Sequence, residues 1–272
     1  MTRPEDQIKG GAVAASVNPM ALVGRTVIVT GAGQGIGRAV ADLVLRLGGN
    51  VTLVDINPDH LAEARAALDD QRVATEAGNV AEEGFSEHVV ARTIERFGAI
   101  HGLVNNAGIV RAAMIEKMTL TQWRQVIDVH LTGSFLFLQS VGMHMLARTK
   151  AGDSNPGSIV NISSNAGVQG TIGQINYGTA KAGILGATMS AAREWARYGI
   201  RVNSVAFGVV ETPMTEVIRG EKFHDQTLAK IPMGRWSKPE EAAQPICFLL
   251  SDASSYITGQ RLSANGGSHM SP

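Results

Sequence analysis

A single cysteine, Cys247, stands in 272 residues, so no internal disulfide can form. That suits a reducing compartment, and a cytoplasmic location is expected. Net charge is lacking as well: 24 basic residues balance 24 acidic ones. A surface built for nucleic acid carries a basic excess, so no such partner is expected. No apolar run looks long enough to span a bilayer, and no membrane association is expected. Residues 1–20 lack the basic start and apolar block of a signal peptide. They mix charge, glycine and alanine without period, and a disordered tail is expected there. Residues 21–272 suffice for one domain with a full core. No metal site is assigned.

Glycine is plentiful, with 31 residues, the mark of sharp turns and close backbone approaches. Arg25–Thr30 is a β-branched run that reads as a buried parallel strand. Gly31-Ala32-Gly33-Gln34-Gly35-Ile36-Gly37 follows at once, and Arg38–Leu47 has helical apolar spacing. Strand, glycine loop and helix form the setting of a dinucleotide-phosphate site, because bare backbone and a helix N-terminus can approach a pyrophosphate. Val51–Val54 is a second strand with Asp55 at its end, where a carboxylate can accept both hydroxyls of a ribose and would repel a 2′-phosphate. Asp55 could instead cap the helix that Asn57-Pro58 announces, but the glycine loop before it favours ribose binding.

The remaining chain alternates. Helices are expected over Pro58–Leu68, Ala81–Phe97, Thr119–Ala147, Gln174–Tyr198 and Pro239–Ser251. Strands are expected over Val73–Ala77, Ile100–Val104, Ser158–Ser164, Arg201–Ala206 and Gly259–Ala264. Alternation of this kind predicts a doubly wound parallel sheet. Trp123, Val126, Ile127, Leu131 and Phe135 share one side of the long helix and are read as core. Glu211–Pro232 is mixed and is a candidate lid. Small residues from Ala180 to Ala192 suit close helix packing against another subunit.

Tyr177 and Lys181 lie four apart on a predicted helix, hence on one face. A free phenol titrates near ~10 and is a poor acid or base at neutral pH. Bringing it to ~7 needs roughly 4 kcal/mol of charge stabilisation, which a neighbouring ammonium and a bound cationic cofactor can supply in a partly dry site. Ser164, thirteen residues before Tyr177, can reach the same carbonyl oxygen.

Thr30-Gly31-x-x-x-Gly35-x-Gly37, Asn105-Asn106-Ala107-Gly108, Ser164, Tyr177-x-x-x-Lys181 and Asn265-Gly266-Gly267 occur in that order. Together they resemble the classical short-chain dehydrogenase/reductase family over about residues 22–268, with the 3-oxoacyl-reductase-like branch nearest. The resemblance implies a Rossmann-type, three-layer α/β/α fold of about seven strands, a homotetramer, and interconversion of a ketone and a secondary alcohol. It implies Tyr177 as general acid/base, Ser164 as the residue orienting the carbonyl, and Lys181 as ribose ligand and modulator of Tyr177. Cofactor contacts are implied at Gly31, Gln34, Gly35, Ile36 and Gly37, then at Asp55, Ile56, Asn79 and Val80. Asn106, Ala107, Gly108, Tyr177, Lys181, Val210 and Thr212 complete them, the last two at the nicotinamide carboxamide. Asp55 and the uncharged Gln34 predict NAD(H) over NADP(H).

Three positions depart from the family pattern: Asn79 stands for an aspartate, Phe207 for a proline, and His130 for the fourth catalytic residue, an asparagine. Asn79 still offers an acceptor for the adenine amine. His130 is either a backbone-satisfied core residue or a member of the proton path, and an imidazole can titrate between pH 5 and 8. A silent NAD-binding redox sensor is the rival reading, with His130 its only support. Val168, Ile172, Val209, Met214, Val217, Ile218 and Phe223 suggest an apolar substrate pocket. Arg148, Lys150, Arg193 and Arg197 are candidates for docking an acyl-carrier protein.

Overall fold

The computed structural model describes residues 18–68 and 71–270. Seven parallel strands form one sheet: β1 (Thr26–Thr30), β2 (Asn50–Asp55), β3 (Val73–Ala77), β4 (Gly102–Asn105), β5 (Gly157–Ser164), β6 (Ile200–Phe207) and β7 (Arg261–Ala264). Their spatial order is β3-β2-β1-β4-β5-β6-β7. The order reverses between β1 and β4, and the crevice at the carboxyl ends of those two strands is where such sheets bind ligands. The Gly31–Gly37 and Asn105–Gly108 segments both leave strands there.

The strands are buried on both faces, and the two-residue period divides their side chains between two cores. Val27, Val29, Val51, Leu53, Val160, Ile162, Val205 and Phe207 face one core, with α1 (Gly35–Arg46), α2 (Pro58–Leu68) and, late in the chain, α10 (Pro239–Leu250). Ile28, Val54, Ile159 and Val202 face the other. That side is covered by α3 (Phe85–Phe97), α4 (Leu120–Ile127), α5 (Gly133–Lys150) and α7 (Ile175–Trp195), with the short α6 (Ala166–Gln169) before α7. The result is the three-layer α/β/α sandwich expected.

Several expectations are corrected. The α3 helix starts at Phe85, not Ala81, because Ala81 and Glu82 donate to Asn79 in a tight turn and Gly84 has φ +83°. The long helix runs on to Lys150 and holds a π turn at Asp128–Thr132, which separates α4 from α5. Its start is fixed by Thr119 and Gln122, whose side chains each accept the other's backbone N–H. Phe135 is not core but half exposed, while Phe137, Leu138, Val141 and Met145 fill the interior. The π turn shifts the helical phase after Thr132, which a uniform 3.6-residue reading could not anticipate. Within the 31-residue stretch Leu120–Lys150, an 18-residue window has mean hydropathy 1.3, so by length and composition alone this helix could cross a membrane, contrary to expectation. Phe137, Leu138, Val141 and Met145 of this helix pack in the core, and 44% of that window is buried inside the fold.

The lid segment holds two short helices, α8 (Glu216–Arg219) and α9 (His224–Leu228). Of the expected tail, residues 1–17 lie outside the described residues. Asn18–Met20 are tied down: the Pro19 carbonyl accepts from Ala253 N–H, and Met20 lies against Ser251. The small-residue stripe on α7 divides. Ala180, Ala191 and Ala192 are buried by their own chain and Gly183 packs on Leu131, whereas Ala182 is exposed and Gly186 faces open space.

Candidate active site

The glycine loop is shaped by contacts that leave no room for side chains. A Cβ on Gly37 would strike the Gly31 carbonyl, and one on Gly31 would lie 2.8 Å from Ala107 Cα. The loop is therefore pressed against the segment after β4. Asn106 fastens the two: its side-chain amide donates to the Thr30 carbonyl (2.9 Å) and the Gly31 carbonyl (3.0 Å). Thr30 Oγ1 accepts from Asn106 and Ala107 N–H, both at 3.0 Å. Asn106 thus acts as a fastener more than as a free donor, and Thr30, which opens the glycine motif, braces the same junction.

Asp55 closes the adenosine end. One carboxylate oxygen accepts from Gly33 N–H at 3.0 Å and the other from Asn57 N–H at 3.1 Å. Asp55 is not the helix cap: Asn57 Oδ1 accepts from Asp59 N–H (2.9 Å) and His60 N–H (3.3 Å) and caps α2, while Asp55 braces the turn before it and keeps a second lone pair on each oxygen for a ribose. Ile56 beside it is exposed, and Val80 is buried. Asn79 Oδ1 accepts from Ala81 N–H at 3.0 Å, so one of its lone pairs is already used. At the opposite end Val210 is buried, and Thr212 reaches over the glycine loop, its Cγ2 3.1 Å from where a Cβ on Gly35 would stand. Cradle, ribose acceptor and covering loop fit a nicotinamide dinucleotide.

Ser164, Tyr177 and Lys181 meet at the carboxyl ends of β4 and β5. Ser164 Oγ accepts from Ala166 N–H (3.2 Å) and bonds the Tyr177 phenol. Asn176, fully buried, is a residue that motif reading overlooked. Its amide donates to the Arg111 and Gln122 carbonyls and its oxygen accepts from Tyr177 N–H at 2.8 Å, anchoring the start of α7. Lys181 is buried, its Nζ donating to the Ile162 carbonyl at 2.6 Å and standing 5.7 Å from the centre of the Tyr177 ring.

The electrostatics amend the expected pairing. Burial raises the Tyr177 pKa above its usual value, and the Ser164 hydroxyl pulls it back only in part. Burial also brings Lys181 down to about 7. In the chain alone desolvation therefore outweighs the ammonium, and lowering the phenol to neutrality requires the further positive charge of a bound cofactor.

His130 lies in the π turn and is 3% exposed. Its Nε2 is 2.7 Å from the Ile109 carbonyl and 2.9 Å from Ile109 N–H. Its ring stands edge-on to Tyr177, with centroids 5.1 Å apart and planes at 88°. A Cβ on Gly108 would collide with the imidazole, so the glycine of the Asn-Asn-Ala-Gly motif makes room for this ring. Burial and the Lys181 charge push its pKa down to about 3. His130 therefore does not titrate between pH 5 and 8 in the folded protein, as an ordinary imidazole would.

The apolar candidates scatter. Val168, Val209 and Phe223 are half-buried, whereas Ile172, Met214, Val217 and Ile218 are exposed. Of the basic candidates, Arg148 is used internally: it donates to the Ile100 and Pro156 carbonyls and pairs with Asp153. Lys150, Arg193 and Arg197 line a surface cleft with Trp195 and Tyr198.

A doubly wound sheet with a glycine cradle, a ribose acceptor and a Ser–Tyr–Lys cluster defines a nicotinamide-linked oxidoreductase acting on CH–OH groups. The chain belongs to the short-chain dehydrogenase/reductase family. The matching family model is described as enoyl-(acyl carrier protein) reductase and covers residues 31–269. A 3-oxoacyl-[acyl-carrier-protein] reductase of Thermotoga maritima is 42% identical, over 91% of this chain and 99% of its own. A 2,5-dichloro-2,5-cyclohexadiene-1,4-diol dehydrogenase of Sphingobium indicum is 39% identical, over 90% and 97%. The solved structure of a protein described as an NAD(P)-dependent gluconate 5-dehydrogenase, from Beutenbergia cavernae with NADP at low occupancy, superposes with TM-score 0.83. It is 36% identical, with 92% of this chain and 98% of that one covered. The names of these relatives agree on oxidoreduction and differ in substrate. Interconversion of a ketone and an alcohol accords with them, and the redox-sensor alternative finds no support.

Proposed function

We propose that residues 21–272 act as one catalytic domain that reduces an apolar ketone, or oxidises the matching secondary alcohol, with NAD(H). The observation that carries this reading is the convergence of Ser164, Tyr177 and Lys181 beside the glycine cradle. When bound, the nicotinamide supplies or accepts the hydride at the substrate carbon. Ser164 Oγ accepts from Ala166, and its O–H, which meets the phenol in the structure, can turn to the substrate oxygen as charge develops there. Tyr177 delivers the proton to that oxygen in reduction and removes it in oxidation. Lys181 holds the ribose and adds positive charge near the phenol. Gly31, Gln34, Gly35, Ile36 and Gly37 would cradle the pyrophosphate, with Asp55 and Ile56 at the ribose and Asn79 and Val80 at the adenine. Asn106, Ala107 and Gly108 would back the cofactor, and Val210 and Thr212 the carboxamide. His130 serves by position, keeping its imidazole neutral.

Preference for NAD(H) rests on the fixed Asp55 carboxylate and the uncharged Gln34, which leave a 2′-phosphate without a basic partner in the loop. The NADP in the Beutenbergia structure belongs to that protein, and this chain's ratio of kcat/KM for NADH and NADPH decides the matter. A 3-oxoacyl group is the favoured substrate, and comparing a free 3-oxoester with an acyl-carrier thioester tests whether a carrier docks. Cytoplasmic location and a homotetramer complete the proposal. Half-exposed Phe135, with Leu120 and Met143 on the same long helix, supports assembly, because a subunit interface would cover them. A ketone panel assayed with NADH tests the function directly, and no turnover of any ketone or alcohol would refute it.

A further inference from the structure

The turn after β7 is wired to the residue next to the catalytic serine. Asn165 follows Ser164 and is nearly buried, 9% exposed. Its Nδ2 donates to Ser268 Oγ at 2.9 Å, and its Oδ1 accepts from Asn265 Nδ2 at 2.9 Å. Ser268 Oγ in turn donates to the Asn265 carbonyl at 2.8 Å, and Asn265 Oδ1 accepts from Gly267 N–H at 3.0 Å. Side chains a hundred residues apart in sequence thus form one closed hydrogen-bonded ring.

The ring bears on a sensitive corner. Asn165 N–H donates to the Phe207 carbonyl, while its own carbonyl accepts from Val168 and Gln169 and so starts α6. The backbone angles of Asn165 set the direction of the next N–H, that of Ala166, which is the one held by Ser164 Oγ. The same turn reaches the far end of the lid segment: Met233 N–H donates to the Gly266 carbonyl, and a Cβ on Gly266 would stand 2.7 Å from Ile231.

We propose that Asn165 and Ser268 are positioning residues, which hold Ser164 through the Ala166 N–H and couple its placement to the turn that anchors the lid. This rests on the reading of Ser164 and Tyr177 as the catalytic pair. Rotation about the Asn165 backbone would carry the Ala166 N–H away and free Ser164 Oγ to swing from the phenol. Small misplacements of a catalytic group are costly in rate. Since the Ser164 bond lowers the Tyr177 pKa, losing it should also raise that pKa.

The test uses the full-length protein carrying Asn165→Ala, Ser268→Ala, both together, Ser268→Thr, and Ser164→Ala as reference. For alcohol oxidation Asn165→Ala and Ser268→Ala should each lower kcat roughly tenfold to a hundredfold. KM for the dinucleotide should stay within about twofold, since the glycine loop and Asp55 follow β1 and β2 and make no bond to this ring. The rising limb of the pH–rate profile should move to higher pH, a change that lower stability alone would not produce. The double variant should be little worse than either single one, because both break the same link. Ser268→Thr, which keeps the hydroxyl, should restore turnover. Unchanged kcat and an unshifted pH limb in Asn165→Ala and Ser268→Ala, beside an inactive Ser164→Ala, would overturn the proposal and leave the catalytic reading intact. Full activity of Ser164→Ala would overturn both.

Discussion

Acidification from pH 7 to pH 5 should destabilise this fold through His130, and His130→Asn should remove that part of the sensitivity. In the unfolded chain the imidazole titrates near its ordinary value of 6.5, whereas in the fold burial and Lys181 hold it at about 3. The folded pKa is depressed, so the unfolded chain binds the proton first as pH falls. The stability held by the neutral ring is therefore complete above 6.5 and lost progressively from 6.5 down towards about 3. Between pH 7 and pH 5 the unfolded chain takes up nearly one proton that the folded chain refuses, which amounts to about 2 kcal/mol. His101 is also depressed, to about 4, chiefly by burial, but it is common to both proteins and cancels in their difference. The assay is urea unfolding of wild type and His130→Asn at pH 7 and pH 5, at one protein concentration so that assembly does not intrude. Wild type should lose about 2 kcal/mol more than the variant over that interval. Equal losses would refute the neutral-imidazole account. The variant should still turn over within about tenfold of wild type, equivalent to ~1.4 kcal/mol in barrier, since its role is held to be positional. A loss of several orders of magnitude at every pH would make His130 a catalytic residue.

Tyr177→Phe should keep the fold and dinucleotide affinity while kcat falls by roughly 10²- to 10⁴-fold, the usual worth of a general acid/base; a wild-type kcat would end the mechanism. Asp55→Ala should narrow the ratio of kcat/KM between NADH and NADPH, and an unmodified protein that uses both equally would remove the electrostatic argument. Lys181→Met should raise the Tm of the cofactor-free protein at pH 7, because it deletes a buried ammonium already pushed down to about 7, while abolishing turnover; a lower Tm would mean that the bond to the Ile162 carbonyl outweighs the burial cost. Gly186→Glu, at the open position of α7, should dissociate a tetramer detected by sedimentation, and a monomeric wild type would contradict the assembly.

Local physics wrote much of this protein legibly into its sequence. Buried parallel strands advertise themselves as β-branched runs, and their alternation with helices fixes the doubly wound sheet. Tyr177 and Lys181 share a helical face by spacing alone, and Asp55 and Gly31–Gly37 sit at strand ends whatever the remaining chain does. Other features depended on partners distant in sequence. The π turn that buries His130 and turns Phe135 outward breaks the single period on which helix reading relies. Asn106 looks like a cofactor donor until the loop it fastens is seen, and Thr30 and Asn176 matter only through the backbones they bind. Arg148 resembles a docking charge in sequence, yet it spans two buried carbonyls. The state of Lys181 and Tyr177 is set by how dry their site is, and dryness belongs to the packed fold. Asn165 and Ser268 lie 103 residues apart, and only folding brings them within a hydrogen bond.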